Sequence, residues 1–213
     1  MPVDQGSLLE SALAALAAGH NRDPFAVLGP HAYERGGGAV VRAFQPAAVA
    51  IDLRLRSTDE LRPMSRRDPA GLFEVRVADA TDYRLRVMYP GGHRVETDDP
   101  YRYGRVLTDF DLHLLGEGTH HRAFEKLGAH RIAVGSTIGV HFALWAPNAE
   151  RVSLIGDFNG WDGRVHPMRL LAPNGIWEIF IPDLPDGEKY KLDRKSTRLN
   201  SSHSRASRMP SSA

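Results

Sequence analysis

The chain has 213 residues, of which 42% are hydrophobic and 25% are charged, a composition typical of one or two globular domains. It contains no cysteine, which excludes a disulfide framework, a cysteine-based metal site and a thiol nucleophile. No apolar run approaches the ~20 residues that a membrane-spanning helix needs, and no signal-peptide pattern begins the chain. We therefore expect a cytoplasmic protein that binds no membrane.

The formal net charge of +1 is unevenly distributed along the chain. Residues 193–213 hold five basic residues and one acid, whereas the preceding residues hold 22 basic and 25 acidic ones. A nucleic-acid interface would thus rest on the last 21 residues alone, so we predict no nucleic-acid partner.

A short helix is predicted at the start of the chain. In "SLLESALAALAAGH", apolar residues recur at helical intervals, Ser7 and Glu10 have the spacing of a capping box, and Gly19 is placed to end the helix. From Asp23 onward, short alternating segments between Gly- and Pro-marked turns are typical of strands.

The rest of the chain contains an internal repeat with a period of about 100 residues. Phe44 aligns with Trp145, and Tyr83 aligns with Tyr190. The matching stretches are "VRAFQPAAVAIDL" (41–53) with "FALWAPNAERVSL" (142–154), and "GLFEVRV" (71–77) with "GIWEIFI" (175–181). Two copies of such a unit predict a mainly β protein with two tandem immunoglobulin-like β-sandwiches.

This interpretation divides the chain into four parts. Between the two copies of the repeat, "GTHHRAFEKLGAH" (118–130) predicts a linker helix with Thr119 as its N-cap. The predicted parts are an N-terminal helix (1–21), a first sandwich (22–115), a second sandwich with the linker helix (116–192) and a tail (193–213).

The repeat breaks off after Tyr190, where the first copy continues through two more strands. "DRKSTRLNSSH" (193–203) resembles one reading frame of a common sequencing adapter. We therefore expect a non-native, disordered tail without function and a truncated second sandwich whose apolar "IWEIFI" is left uncovered. A natural disordered Ser/Arg-rich tail is the alternative.

"GDFNGWD" (156–162) is the most informative motif, with an Asn-Gly turn of the hairpin type. An exposed Trp161 at this turn would stack on the flat C–H face of a glucose ring, whereas a buried one would pack on the sandwich edge; both remain open. Trp145 and Trp177 are predicted to lie in the core.

Several stretches resemble a known family. "GVHFALWAPNAERVSLIGDFNGWDGRVHPM" and "GIWEIFIPDLPDGEKYK" are similar to carbohydrate-binding modules of family 48, which precede the catalytic barrel in glycogen-acting enzymes. "DPFAVLGPH", "TDDPYRYG" and "GTHHRAFEKLGAH" resemble the additional N-terminal sandwich of bacterial 1,4-α-glucan branching enzymes, with Phe124 standing where that family has Tyr.

The resemblance implies a role in glycogen biosynthesis, in which α-1,4-glucan segments are transferred with retention to form α-1,6 branches. It places the two catalytic carboxylates on a (β/α)₈ barrel of about 250 residues that this chain does not contain. It implies no catalytic residue, metal or cofactor here. The similarity to related modules of kinase regulatory subunits assigns contacts with α-glucan, as glycogen or maltooligosaccharide, to Trp161 and Lys191. Asn159 lies beside the Trp in sequence, so we expect it to bond a sugar hydroxyl.

Three other functions fit the same residues: a stand-alone or regulatory glucan-binding module, the N-terminal region of a debranching or trehalose-forming enzyme, and a structural pair of sandwiches without a sugar site. The histidines between residues 113 and 130 have no fixed ligand spacing, so a metal site is not predicted from them.

Overall fold

The computed structural model describes residues 5–33, 37–196 and 207–208, and the chain divides into two compact units, residues 1–102 and 103–213. Both units are mainly β, as predicted. The boundary corrects the predicted one at 115/116, because residues 103–115 belong to the second unit. None of the helices in the described part of the chain is long and apolar enough to cross a membrane.

The predicted N-terminal helix is present as α1, Gln5–Ala17. It begins two residues before Ser7, so that residue lies inside the helix instead of capping it. Gly19 ends the helix as predicted: its φ of 71° is left-handed, and the backbone N–H of His20 donates to Ala15 O over 2.8 Å.

The first unit is a sandwich of two four-stranded antiparallel sheets, with strand orders β1-β2-β6-β5 and β4-β3-β7-β8. Its core lies between them and includes Val41, Leu53, Phe73 and Tyr83. The strands are β1 (Gly29–Ala32), β2 (Ala39–Phe44), β3 (Ala50–Leu55), β4 (Leu61–Pro63), β5 (Ser65–Asp68), β6 (Leu72–Val77), β7 (Tyr83–Met88) and β8 (Arg94–Thr97).

The second unit repeats the first of these sheets in the strand order β9-β10-β13-β12, whereas its other sheet has three strands among the described residues, β11-β14-β15. One helix, α2, precedes the strands. The elements are α2 (Asp109–Glu117), β9 (Gly128–Val134), β10 (Thr137–Trp145), β11 (Ala149–Gly156), β12 (Arg169–Leu171), β13 (Ile176–Pro182), β14 (Lys189–Ser196) and β15 (Ser207–Arg208).

A contact between a proline and a glycine confirms the repeat at atomic detail. In the first unit an added Cβ on Gly71 would lie 2.5 Å from the Cα of Pro46, and in the second one on Gly175 would lie 2.5 Å from the Cα of Pro147. Both glycines also have positive φ, 111° and 71°. Only glycine fits such a close backbone approach, so the same constraint fixes the same crossing in both copies.

The linker helix predicted within residues 118–130 is wrong. The helix α2 lies earlier and begins after Thr108, whose hydroxyl and backbone form a capping box with Asp111. Gly118, with φ of 72°, ends it in the left-handed conformation. Thr119 therefore follows a helix instead of starting one, and residues 123–125 form only a 3₁₀ turn.

The second sandwich is more complete than its sequence predicts. Strand β14 continues through residues 193–196 and pairs with β11 as far as Ala149↔Ser196, and Arg151 donates to Asp193 over 2.7 Å. The predicted tail is thus a strand over these four residues, because a sheet ladder uses backbone groups that any sequence supplies. Residues 197–206 and 209–213 of the tail lie outside the described residues.

The stretch "IWEIFI" is buried on both faces of its sheet, so the expected uncovered face is wrong. Its residues Ile176 to Ile181 are 0–5% exposed. The inner face packs in the sandwich, and the outer face is covered by the segment that carries α2. This outer cluster contains Leu107, Leu112, Ala143, Leu171 and Ile176.

The tryptophans show that the two sheet faces are covered differently. Trp177 is fully buried, as predicted, and its indole N–H donates to Ala146 O over 3.1 Å. Trp145 is 61% exposed, so its predicted place in the core is wrong. It shares the outer face of β10 with Ala143 but stands at the last residue of the strand.

Candidate carbohydrate-binding site

The "GDFNGWD" motif forms a compact loop at the end of β11. Residues Asp157–Asn159 make a 3₁₀ turn, and Gly160 and Trp161 follow with φ of 62° and 61°. The Trp161 backbone N–H donates to Gly156 O over 2.9 Å and closes the loop. The predicted Asn-Gly hairpin turn is therefore replaced by a helical turn, and Trp161 adopts a left-handed conformation that is uncommon for a bulky residue.

The Trp161 side chain is held at the surface. Its indole Nε1–H donates to Asp157 Oδ1 over 2.8 Å, and 39% of the residue is exposed. Because the hydrogen bond fixes the ring through its polar edge, the apolar ring keeps its orientation without being buried.

Lys191 comes to this loop through the pairing of β14 with β11. The register places Lys191 opposite Ile155 and Tyr190 opposite Gly156. The Tyr190 ring packs inside the sandwich against Phe142, with centroids 5.0 Å apart, so the next residue along the strand points outward. The Lys191 ammonium lies 5.7 Å from the centroid of the Trp161 ring, within range of a cation–π interaction.

Close backbone packing makes this register possible. A Cβ added to Gly156 would lie 2.5 Å from Lys189 O and would also collide with the Phe158 ring. The glycine at the start of the motif therefore lets the loop and β14 approach each other, which brings Trp161 and Lys191 together.

Asn159 shapes the loop from inside. Its Oδ1 accepts from the Gly156 backbone N–H over 2.9 Å, and its Nδ2 donates to Leu154 O over 2.8 Å and to His166 Nδ1 over 3.0 Å. Both amide hydrogens are used in these bonds, so the structure does not place a free amide hydrogen of Asn159 beside the indole.

His166 completes the support of the loop, although nothing in its sequence context singles it out. Burial lowers its pKa to about 4, so at neutral pH the ring is uncharged and Nδ1 accepts the bond from Asn159. Its ring also lies 5.7 Å from that of Phe158. The turn that presents Trp161 thus depends on a neutral histidine.

The rim of the loop is charged. Asp162 accepts from the Arg164 guanidinium over 2.7 Å, and this hydrogen bond lowers the pKa of Asp162. The exposed surface around Trp161 is therefore an apolar ring beside an ammonium group and an ion pair, a combination suited to a neutral ligand with many hydroxyls.

The histidines considered as ligands have other contacts. His113 lies 3.4 Å from Glu117, His120 lies 3.4 Å from Asp111, and His130 Nε2 is 2.9 Å from Leu127 O. Over residues 5–33, 37–196 and 207–208, no group of three or more His, Asp or Glu side chains is placed to hold a metal ion.

Two family models match the two units. Residues 9–101 match the N-terminal domain of the alpha-1,4-glucan branching enzyme GlgB, and residues 126–207 match carbohydrate-binding module 48, the isoamylase N-terminal domain. The two sandwiches and these matches indicate a class, the N-terminal β-sandwich modules of the kind found in branching enzymes and isoamylases.

Curated relatives narrow this class. The chain is 52% identical over 193 residues to the 1,4-alpha-glucan branching enzyme GlgB of Paramagnetospirillum magneticum, a match that covers 91% of this chain and 26% of the relative. GlgB 2 of Rhizobium johnstonii is 46% identical over 198 residues, a match that covers 91% of this chain and 26% of the relative. GlgB of Rubrobacter xylanophilus is 46% identical over 186 residues, a match that covers 87% of this chain and 25% of the relative. The chain is similar to the N-terminal region of 1,4-α-glucan branching enzymes, and it spans about a quarter of the length of these relatives.

Proposed function

We propose that this chain is the glucan-positioning region of a branching enzyme that acts on glycogen in the cytoplasm. In this proposal the second sandwich holds an α-glucan chain, and the whole enzyme transfers an α-1,4 segment to the 6-hydroxyl of another chain. Retaining transfer needs a nucleophile and an acid about 5 Å apart in one cleft, and we assign neither role to a carboxylate of residues 1–213.

The observation that carries the proposal is the exposed, hydrogen-bonded Trp161 beside the Lys191 ammonium. A ring already fixed by Asp157 loses little conformational freedom when a sugar stacks on it, which favours binding. The ammonium of Lys191 has three donors and lies near enough to the ring to reach a hydroxyl of the stacked sugar. Asn159 acts as a positioning residue that sets the turn.

The expected affinity is low. Stacking on one aromatic ring contributes about 1–3 kcal/mol by analogy with aromatic–base stacking. With one ring and one ammonium we expect a dissociation constant of about 1 mM, which corresponds to about −4 kcal/mol. Such an affinity suits a region that retains a polymer while its chain ends are processed.

The test is a titration of the protein with maltoheptaose, followed by the amide shifts of the loop and of β14. Trp161→Ala should weaken binding about tenfold or abolish it, since it removes the stacking surface. Trp145→Ala is the matched control because Trp145 is more exposed, at 61%, but lies in the other sheet of the same unit.

Unchanged binding by Trp161→Ala, or loss of binding by Trp145→Ala, would place the site elsewhere. Amide spectra of both variants, recorded without sugar, establish that the fold is intact. Incubation of the wild-type chain with amylose provides a further check: iodine staining should not change, and a decrease would show that the chain itself carries the chemistry.

A further inference from the structure

A second polar site lies in the first unit, on the outer face of the sheet β4-β3-β7-β8. A groove of about 410 Å³ opens there, with charged walls formed by Arg54, Asp59, Arg86, Arg94 and Glu96. The alternate residues Leu85 and Val87 of β7 are buried in the core, so the Arg86 side chain is directed outward into the groove.

The two carboxylates of the groove are both bound to the same arginine. Arg54 Nε donates to Asp59 Oδ1 over 2.6 Å, and its Nη1 donates to Glu96 Oε2 over 2.9 Å. These bonds raise the pKa of the Arg54 guanidinium. Arg54 therefore offsets one of these two negative charges, and one negative charge remains in the groove.

The other two arginines have no such partner. Within residues 5–33, 37–196 and 207–208, neither Arg86 nor Arg94 has a hydrogen bond or an ion pair. On the same face Asp52 and Arg84 add one charge of each sign, so the surface keeps a net charge of +1 from its arginines and acids. Arg86 and Arg94 supply this excess, although the strand register places Arg86 opposite Asp52 on β3 and Glu96 on β8.

The strand register sets the spacing of these two arginines. Arg86 pairs with Glu96 and Met88 pairs with Arg94, so Arg86 and Arg94 are diagonal neighbours on one face of β7 and β8. Diagonal Cα atoms in an antiparallel pair are about 7–8 Å apart, a distance over which two guanidinium groups reach one tetrahedral anion.

We propose that this groove binds a phosphate monoester. The phosphate lies between the guanidinium groups of Arg86 and Arg94, which present planar pairs of donors to its oxygens. The esterified group lies against Leu61, which is 40% exposed and lines the same groove. This site is separate from the proposed glucan contact, since all of its residues belong to the first sandwich.

The test is a titration of the chain with inorganic phosphate and with glucose 6-phosphate at constant ionic strength, followed by arginine Nε–H and amide shifts. Dissociation constants of about 1 mM are expected, with the ester binding more tightly than inorganic phosphate because of the contact with Leu61. Arg86→Gln and Arg94→Gln should each weaken binding about tenfold. Arg86→Lys keeps the charge but not the planar pair of donors, so its affinity should lie between those of the wild-type chain and Arg86→Gln.

Arg76→Gln is the matched control, because it removes the same charge from an exposed arginine on β6, whose guanidinium lies 4.3 Å from the Tyr33 ring centroid. Equal weakening by this variant, or shifts spread over all exposed arginines, would overturn the proposal in favour of non-specific charge attraction. An ester that binds no more tightly than phosphate would overturn the contact with Leu61. Trp161→Ala should leave phosphate binding unchanged, so this result is independent of the glucan site.

Discussion

The two sandwiches share one strand arrangement and differ in the segment that follows their third strands, β3 in the first unit and β11 in the second. In the first unit the Met64 N–H donates to Ile51 O over 2.9 Å, and in the second the Met168 N–H donates to Val152 O over 2.9 Å. Ile51 and Val152 are 101 residues apart, whereas Met64 and Met168 are 104 apart. The second copy therefore has three extra residues between two equivalent hydrogen bonds, in the segment that presents Trp161.

This difference separates the constraints of the fold from those of the site. The first copy returns directly into β4 through a short turn closed by the Leu55 N–H to Glu60 O bond of 2.9 Å. The second copy makes a 3₁₀ turn and projects an aromatic ring instead. A loop between two fixed hydrogen bonds can change length without disturbing the sheets, so a binding residue is readily added there.

The largest expected difference between the copies is at the equivalent positions Phe44 and Trp145. Phe44 is 4% exposed and Trp145 is 61% exposed. Phe44→Ala should lower the free energy of unfolding of the first unit by about 3–5 kcal/mol, because it leaves a cavity. Trp145→Ala should lower that of the second by less than about 1 kcal/mol.

Hydrogen exchange of β2 and β10 measures the two effects separately. If the two substitutions are equally destabilising, the outer face of β10 is covered in solution and the comparison fails.

A smaller difference concerns two equivalent acids. Glu74 forms an ion pair of 2.8 Å with Arg42, whereas the fully buried Glu178 accepts from Arg169, His141 and the backbone N–H of Leu107. Burial alone would raise the pKa of Glu178, but these contacts outweigh it and the pKa is lowered.

Glu178→Gln should therefore destabilise the second unit by about 3 kcal/mol, since it leaves buried positive charge unmatched. Glu74→Gln should destabilise the first by about 1 kcal/mol. Urea denaturation of each variant gives the two values, and a larger loss for Glu74→Gln would contradict the different roles assigned to the acids.

The pH dependence of stability should have opposite signs at two buried groups. Burial raises the pKa of Asp99 in the first unit to about 6, although the Tyr83 hydroxyl donates to it over 2.6 Å. The folded state then holds a proton that the unfolded state releases. The contribution of Asp99 to the free energy of unfolding therefore falls as pH rises from about 4 to 6. For His166 the folded pKa of about 4 is below the ordinary value of 6.5, so its contribution rises with pH between these values.

Hydrogen exchange in each unit between pH 4 and 6.5 tests these signs. Asp99→Asn should flatten the fall in the first unit, and His166→Gln should flatten the rise in the second. A slope that either substitution leaves unchanged would show that other groups dominate the titration there.

The smallest effect is expected at Lys191. Lys191→Met keeps the aliphatic stem and removes the ammonium 5.7 Å from the Trp161 ring centroid. Maltoheptaose affinity should fall about threefold, equivalent to roughly 0.5–1 kcal/mol for an exposed cation–π contact. An unchanged affinity would leave the indole as the sole contact, whereas a loss as large as that of Trp161→Ala would make the ammonium the main one.

The sequence predicts the two sandwiches because the close backbone crossings within them accept few residue types. The recurrence of Pro46 with Gly71 and of Pro147 with Gly175 marks the same backbone crossing twice, and two sandwiches follow from it. The sequence pattern does not predict α2, because a glycine such as Gly118 can either precede a helix or end one. It does not predict the exposure of Trp145, because strand alternation gives the face of a residue but not what covers that face.

The candidate site is less accessible from sequence. The "GDFNGWD" motif directs attention to Trp161, but Lys191 is 30 residues away and is linked to it only by the family resemblance and, in the structure, by the register of β14. One of the three hydrogen bonds of Asn159 is made to His166, which no sequence pattern identifies. Distances set by strand pairing and by burial are tertiary properties, so a local motif does not contain them.

The most direct test of the central claim is the contact between glucan and indole in solution. Intermolecular nuclear Overhauser effects should be measured between maltoheptaose and the three tryptophan rings of the wild-type chain at saturating sugar. The account predicts contacts from sugar C–H protons to the Trp161 ring and none to Trp145 or the buried Trp177. Contacts to Trp145 with none to Trp161, under conditions where binding saturates, would contradict it.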